Sequence, residues 1–264
     1  MGMLEEILSK LEIRETQSLY DHEQVITKSL IKLKEGMLNI GQLVDPLIVD
    51  KKTGVVLDGN HRLNVLKIIE CPLAACQVVD YQSNEIKVST WYPTAKIAKE
   101  NLLKLDSVRY EKVDEKTGRE AVENLRAPFM AVLPDGECYL FNPGKYKIKE
   151  MVEEQRYLLS LVDQYAPSYL PIEEIESRKK EGYSVFYRRT YTKDEIIKLA
   201  LEHSPLPPKS TRHLIPWRII RLNMKLGWLN SDKETAYNEM KNMLEKRAYN
   251  WNVRKYYEPV IVIY

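Results

Sequence analysis

The sequence predicts an α+β protein in two parts, and three observations carry that expectation. The first 80 or so residues alternate strand-like and helix-like apolar patterns, as a small α/β unit does. The stretch beyond residue 93 is dominated by long helical patterns, and it also contains an apolar pair around Pro134-Asp135-Gly136 with the turn chemistry of a hairpin. At 264 residues the chain is long enough for two modest cores or one large one.

Taken in order, Leu4, Ile7, Leu8 and Leu11 predict a short amphipathic helix over residues 3–12, and residues 11–15 are expected to be extended, with Glu15 near the strand end. Asp21 as N-cap predicts a helix over 22–35, with Val25, Ile26, Leu30 and Leu33 inward and Gly36 as its stop. After Pro46, residues 47–49 and 55–57 are expected to pair across the Lys51-Lys52-Thr53-Gly54 turn. A helix over 60–69 and a strand over 75–79 follow, separated by Pro72. Pro93 marks the expected boundary, which divides the chain into 1–92 and 93–264, with helix over 94–105 opening the second part. Beyond it, 129–133 and 137–141 form the second hairpin, and helices are predicted over 147–164, 172–180, 193–202 and 233–247. Pro205, Pro207 and Pro208 stiffen the loop 204–212, and the β-branched run 260–263 after Pro259 predicts a closing strand. Trp217, Trp228 and Trp251 are expected in the core.

Composition narrows the function classes. Forty Lys and Arg against 38 Asp and Glu leave a net charge of +2, so nothing drives the chain as a whole toward nucleic acid. Three cysteines without metal-pair spacing argue against a disulfide framework or a zinc site. The acidic N-terminal segment and the absence of a long apolar run lead us to expect a cytoplasmic protein with no membrane partner.

The stretch Gly54 to Arg62, GVVLDGNHR, carries the clearest chemistry. A buried strand delivers an acid, then a glycine, then a helix start. That arrangement suits phosphate, because the first N–H groups of a helix lack intrahelical partners and its dipole is positive there. Arg62 is electrostatically misplaced in the first helical turn, since cations favour the other end, and a bound anion would offset the misfit.

Residues 11–81 resemble the ParB/sulfiredoxin superfamily: an early acid at Glu15, a helix ending in Lys34-Glu35-Gly36, the strand after Pro46, Asp58-Gly59-Asn60-His61-Arg62 opening a helix, and a following strand. The resemblance implies a ParB/sulfiredoxin-like α/β core, with the α+β remainder forming a cleft. Chromosome-partitioning members carry an arginine-rich box where this chain has Asn60-His61-Arg62, and sulfiredoxins carry a cysteine where it has Asn60. Arg14-Glu15-Thr16, Ser89-Thr90-Trp91 and Pro207-Pro208-Lys209-Ser210-Thr211-Arg212-His213 are similar to stretches of the free L-serine kinases. That resemblance implies an ATP- or ADP-dependent kinase of free L-serine that uses Mg²⁺, with no nucleic-acid partner. Its alternative is a non-enzymatic nucleotide-binding or DNA-associated switch of ParB type.

On this resemblance Glu15 is the general base and Asp58 the Mg²⁺ ligand, while Gly59, Asn60, His61 and Arg62 bind phosphate. Ser29, Trp91, Thr211, Arg212 and His213 are expected to bind the substrate, Thr211 to His213 through its carboxylate. Read from the residues alone, Asp58 is equally a helix cap, His61 a packed histidine, Trp91 a core tryptophan, and Glu15, Ser29, Arg212 and His213 solvated surface groups.

Overall fold

In the computed structural model, which describes residues 2–257, the first predicted hairpin forms: Leu47–Asp50 runs antiparallel to Val55–Asp58, with Val49 opposite Val56. Leu73–Val79 lies parallel to Leu47–Asp50 on its other side, and Leu11–Glu15 pairs antiparallel with Leu73–Val79. All four residues of Leu47–Asp50 are buried, as suits a strand with a neighbour on each side, which fits the apolar run Leu47-Ile48-Val49, while Asp50 at its end accepts from the Thr53 amide and hydroxyl. Helices Asn60–Ile68, Thr27–Ile40 and Lys233–Tyr249 belong to the same unit. Leu47, Val56, Leu63, Leu66, Met224, Leu229, Met240 and Leu244 share one core. Each such fully buried aliphatic side chain contributes about 1.5–3 kcal/mol relative to exposure.

The compact units divide the chain elsewhere than at residue 92. The first gathers residues 2–19, 27–80 and the described residues from Trp217 onward, and the second gathers 20–26 and 81–216. The chain returns to the first unit through backbone pairing: Met224 lies opposite Leu43 and Lys225 opposite Gln42. No local pattern at residue 93 registers so distant a pairing.

The second unit is built on a six-stranded antiparallel sheet in the order Ser168–Leu170, Tyr92–Ala95, Ser184–Tyr187, Phe129–Val132, Cys138–Phe141, Tyr110–Val113. Successive side chains of a strand point to opposite faces. Accordingly Phe129, Ala131, Phe141 and Phe186 pack with Leu158 and Val162 of helix Ile148–Val162, while Met130, Val132, Leu140 and Val185 pack with Val122 of helix Glu115–Glu123. Gly118 is what lets the latter helix approach: a Cβ there would collide with Sδ of Met130.

Several expectations are corrected. Residues 22–26 are not helical. The amide of Leu206 donates to His22 O and that of Gln24 to Leu206 O, so strand-like tertiary pairing overrides the Asp21 cap signal, and the helix runs Thr27–Ile40 instead. It passes through Gly36 and ends at Gly41, whose φ of +69° suits a helix C-terminus. Residues 92–95 form a strand rather than helix, because Thr94 is paired with both Ser168 and Val185, and only Lys99–Leu102 is helical in that stretch. Trp217 and Trp251 are exposed and Trp228 is half-buried. The predicted strand over 260–263 lies outside the described residues.

Candidate active site

The strand–turn–helix of the first unit is formed as the sequence predicts. Val55–Asp58 ends on Asp58, Gly59 turns with φ +102°, and helix Asn60–Ile68 opens with the amide of Leu63 donating to Gly59 O at 2.8 Å. Gly59 is required twice over. Its φ lies in the left-handed region, and a Cβ would sit 2.8 Å from Leu47 Cδ2 and 3.1 Å from Arg62 Nε. Asn60 is buried and His61 half-buried in the first helical turn.

The arginine misfit has an internal solution. Arg62 Nη1 donates to the carbonyls of Asp45 at 2.9 Å and Pro46 at 2.8 Å, and Nη2 donates to Asp58 Oδ2 at 2.8 Å. Arg218 Nη2 donates to that same Oδ2. One carboxylate thus holds two guanidinium groups beside the positive end of a helix, and both Asp58 and Arg218 are more than a third exposed. Such a surface suits an anion, with Arg62 bracing the turn and Arg218 on its solvent side.

Glu15 ends its strand as expected, with its carbonyl accepting from Ser18 Oγ at 2.7 Å, and its side chain is exposed. Ser29 is exposed in the first turn of Thr27–Ile40. Among the described residues no hydrogen bond or ion pair joins either of them to Asp58 or Arg62.

In the second unit the proline-stiffened loop leads into strand Arg212–Leu214, which pairs with Lys87–Ser89. Strand alternation places the buried side chains of Thr211 and His213 on one face and that of Arg212 on the other. Thr211 Oγ1 lies 2.8 Å from His22 Nε2, and Glu23 Oε1 accepts from both the amide and the hydroxyl of Thr211 at 2.6 Å. His213 Nε2 meets the Tyr81 hydroxyl at 2.7 Å, and its ring stands edge-on to that of His22. Arg212 ion-pairs with Glu173 at 2.9 Å and stacks 5.2 Å from the ring of half-buried Trp91. Buried Arg188 ties the two pieces together, donating to Trp91 O at 2.9 Å, to Ser210 Oγ at 3.2 Å and to Lys209 O.

Burial alone would raise the pKa of Glu23, but hydrogen bonding to and charge from His22, together with two hydrogen bonds from Thr211, bring it down to about 2. Sequence reasoning missed His22, Glu23, Tyr81, Arg188 and Arg218. The usable signal was scarcity: the chain has four histidines, and two of them meet here.

Among the described residues no group of three or more His, Cys, Asp or Glu side chains could cage a metal, and no helix is long and apolar enough to cross a membrane.

The fold defines an α+β protein, the class expected from the sequence, with a strand–glycine–helix turn in its first unit. No family model matches the chain. It is 27% identical over 220 residues to the ADP-dependent L-serine kinase of Thermococcus kodakarensis, covering 80% of this chain and 90% of that protein. It is 28% identical over 216 residues to an ATP-dependent L-serine kinase of Staphylothermus marinus, covering 77% of this chain and 84% of that one. A solved structure of a free serine kinase mutant in complex with ADP is 25% identical and covers 83% of this chain and 94% of its own, with a TM-score of 0.71. The chain is therefore similar to L-serine kinases over most of its length, as the stretches at 14–16, 89–91 and 207–213 led us to expect.

Proposed function

We propose that this protein is a phosphotransferase that moves a phosphate from ATP or ADP to the hydroxyl of free L-serine, giving O-phospho-L-serine in the cytoplasm. The observation that carries the reading is the match, over 77–80% of the chain, to kinases of free serine. The phosphate-type turn at Asp58 to Arg62 supports it chemically.

Phosphoryl transfer asks mainly for positioning and charge neutralisation. The nucleotide phosphates would meet the positive end of the helix at Asn60 and His61, where Gly59 leaves room for close approach, with Arg62 and Arg218 as the neighbouring cations. Mg²⁺ fits this donor set. One carboxylate, Asp58, more than a third exposed and with no cage of His, Cys, Asp or Glu side chains around it among the described residues, suits an ion that draws its remaining ligands from phosphate and water. When bound, Mg²⁺ neutralises charge on the phosphate oxygens. Glu15, exposed and acceptor-only when ionised, would take the proton of the serine hydroxyl as that oxygen attacks the terminal phosphorus and the shortened nucleotide leaves. Ser29, Trp91, Thr211, Arg212 and His213 would bind the serine. No covalent enzyme intermediate is required.

The test is formation of phosphoserine from L-serine, Mg²⁺ and ATP or ADP by the purified protein. Loss of roughly 100-fold or more in turnover is expected for Glu15→Gln. Absence of product with both nucleotides would sink the kinase reading, and unchanged turnover in the variant would remove Glu15 as the base.

A further inference from the structure

The inner strand Leu73–Val79 carries one residue unlike its neighbours. It runs between Leu11–Glu15 and Leu47–Asp50, and its sequence is apolar save for Gln77, which is 1% exposed. Burying an amide costs free energy unless both of its ends find partners. Gln77 finds them in one place: Nε2 donates to Trp217 O at 3.0 Å, and Oε1 accepts from the Ile219 amide at 2.8 Å. The opposite orientation of the amide would set donor against donor and acceptor against acceptor, so the pairing admits only this one. Trp217 O and the Ile219 N–H belong to the two peptide planes that flank the Arg218 Cα. One side chain therefore fixes the φ and ψ of Arg218, the residue whose guanidinium donates to Asp58 Oδ2. The segment needs such a hold. Residues 217–223 lie outside every described helix and strand, and Trp217, Arg221 and Asn223 stand at φ of +56°, +54° and +53°. Residues other than glycine keep such conformations only where their surroundings over-determine them. Asp45 Oδ1 accepts from the Arg221 amide at 2.7 Å, and Arg247 Nη1 donates to Leu222 O at 2.9 Å, which anchors the far end. Gln77 anchors the end that carries Arg218.

Resting on the reading of Asp58 to Arg62 as the place of the nucleotide phosphates, we propose that Gln77 is a positioning residue for the phosphate donor, acting through Arg218. It holds the backbone of Arg218 so that a phosphate oxygen meets a guanidinium already in place, rather than one that must be ordered as the nucleotide binds. The strand that supplies the core thereby also sets the geometry of a cation at the site.

The experiment measures the Kd of ATP and of ADP by calorimetry, which needs no turnover, in the wild type, Gln77→Met, Arg218→Ala and the double variant. Methionine keeps the length and apolar bulk of the side chain and removes both hydrogen bonds. Gln77→Met is expected to weaken the better-bound nucleotide by about three- to tenfold, the cost of ordering one long side chain. In the Arg218→Ala background the same change should move Kd by less than about twofold, because no guanidinium is left to place. KM for the nucleotide should rise in parallel, with KM for L-serine unmoved. An effect of Gln77→Met that is equal with and without Arg218 would mean that the amide only supports the sheet, and it overturns the proposal; so does unchanged affinity in Gln77→Met. Should Gln77→Met lose its fold by circular dichroism, hydrogen exchange of the Ile219 amide carries the test. Saturating nucleotide should slow that exchange in the wild type and not in Arg218→Ala, and slowing in both or in neither overturns the proposal. Phosphoserine formation separates this inference from the kinase reading. Nucleotide binding coupled through Arg218 in a protein that makes no phosphoserine removes the kinase reading and retains the role of Gln77. Phosphoserine formation with no such coupling removes the role of Gln77 alone, and a wild type that binds neither nucleotide removes both.

Discussion

Replacing Gly59 by alanine tests the geometry on which the turn at Asp58 to Arg62 depends. Two costs follow from the structure. A non-glycine residue held at φ +102° incurs left-handed strain, about 1–2 kcal/mol. The new Cβ would also lie 2.8 Å from Leu47 Cδ2, and Leu47 is wholly buried in the strand that carries the sheet, so relief requires a shift of packed core. Overpacking of that kind costs about 1–3 kcal/mol. Together the substitution should destabilise the protein by about 2–5 kcal/mol, read from the urea midpoint at unchanged slope. Gly41 is the control: its φ is +69°, but nothing lies within 4 Å of its would-be Cβ. Gly41→Ala should therefore show the strain alone, offset by about 0.4–1 kcal/mol because alanine has fewer unfolded conformations to lose. The Arg62 Nε contact at 3.1 Å adds a functional consequence. Displacing Arg62 loosens its grip on Asp45 O, Pro46 O and Asp58, so nucleotide affinity should fall more in Gly59→Ala than in Gly41→Ala. Equal stability losses in the two variants would refute the close-approach argument.

The remaining predictions concern the second unit and the Asp58 pair. The folded pKa of Glu23 is depressed to about 2, so its stabilising contribution is fully present above the ordinary carboxylate range and is lost as pH falls through 4 toward 2. Urea midpoints measured from pH 6 to 2.5 should decline less steeply in Glu23→Gln than in the wild type, the difference amounting to at most about 3 kcal/mol. Gly118→Ala drives a methyl group into Met130 and should cost about 1–3 kcal/mol, and Gly118→Ala combined with Met130→Ala should recover part of that loss, a coupling that a double-mutant cycle measures. Arg218→Ala leaves Arg62 in place on Asp58, so it should weaken nucleotide binding by titration while leaving the melting temperature within about 2 °C, since ion pairs this exposed contribute little to stability.

What was legible in the sequence was local. The turn at Gly59 could be found because the strand, the glycine and the helix start are contiguous, and each signal is a property of a few neighbouring residues. Arg62 shows where local reading stops: its misplacement at a helix N-terminus was visible, but its partners Asp45 O and Pro46 O lie 17 and 16 residues away, and Arg218 reaches Asp58 across 160. His22 and Glu23 show the same limit more severely. Asp21 offered a sound helix cap, and the chain declined it because the carbonyl of His22 and the amide of Gln24 are taken by Leu206. Once residues 22–24 are held extended, Glu23 is delivered to Thr211, 188 residues on, and a side chain that local patterning would leave in solvent becomes a buried carboxylate at the loop assigned to substrate. The misreading of the helix and the missed residues are thus one error. A cap signal worth about 1 kcal/mol loses to tertiary pairing, and in this chain the pairing that defeats it also assembles the Glu23–Thr211 site.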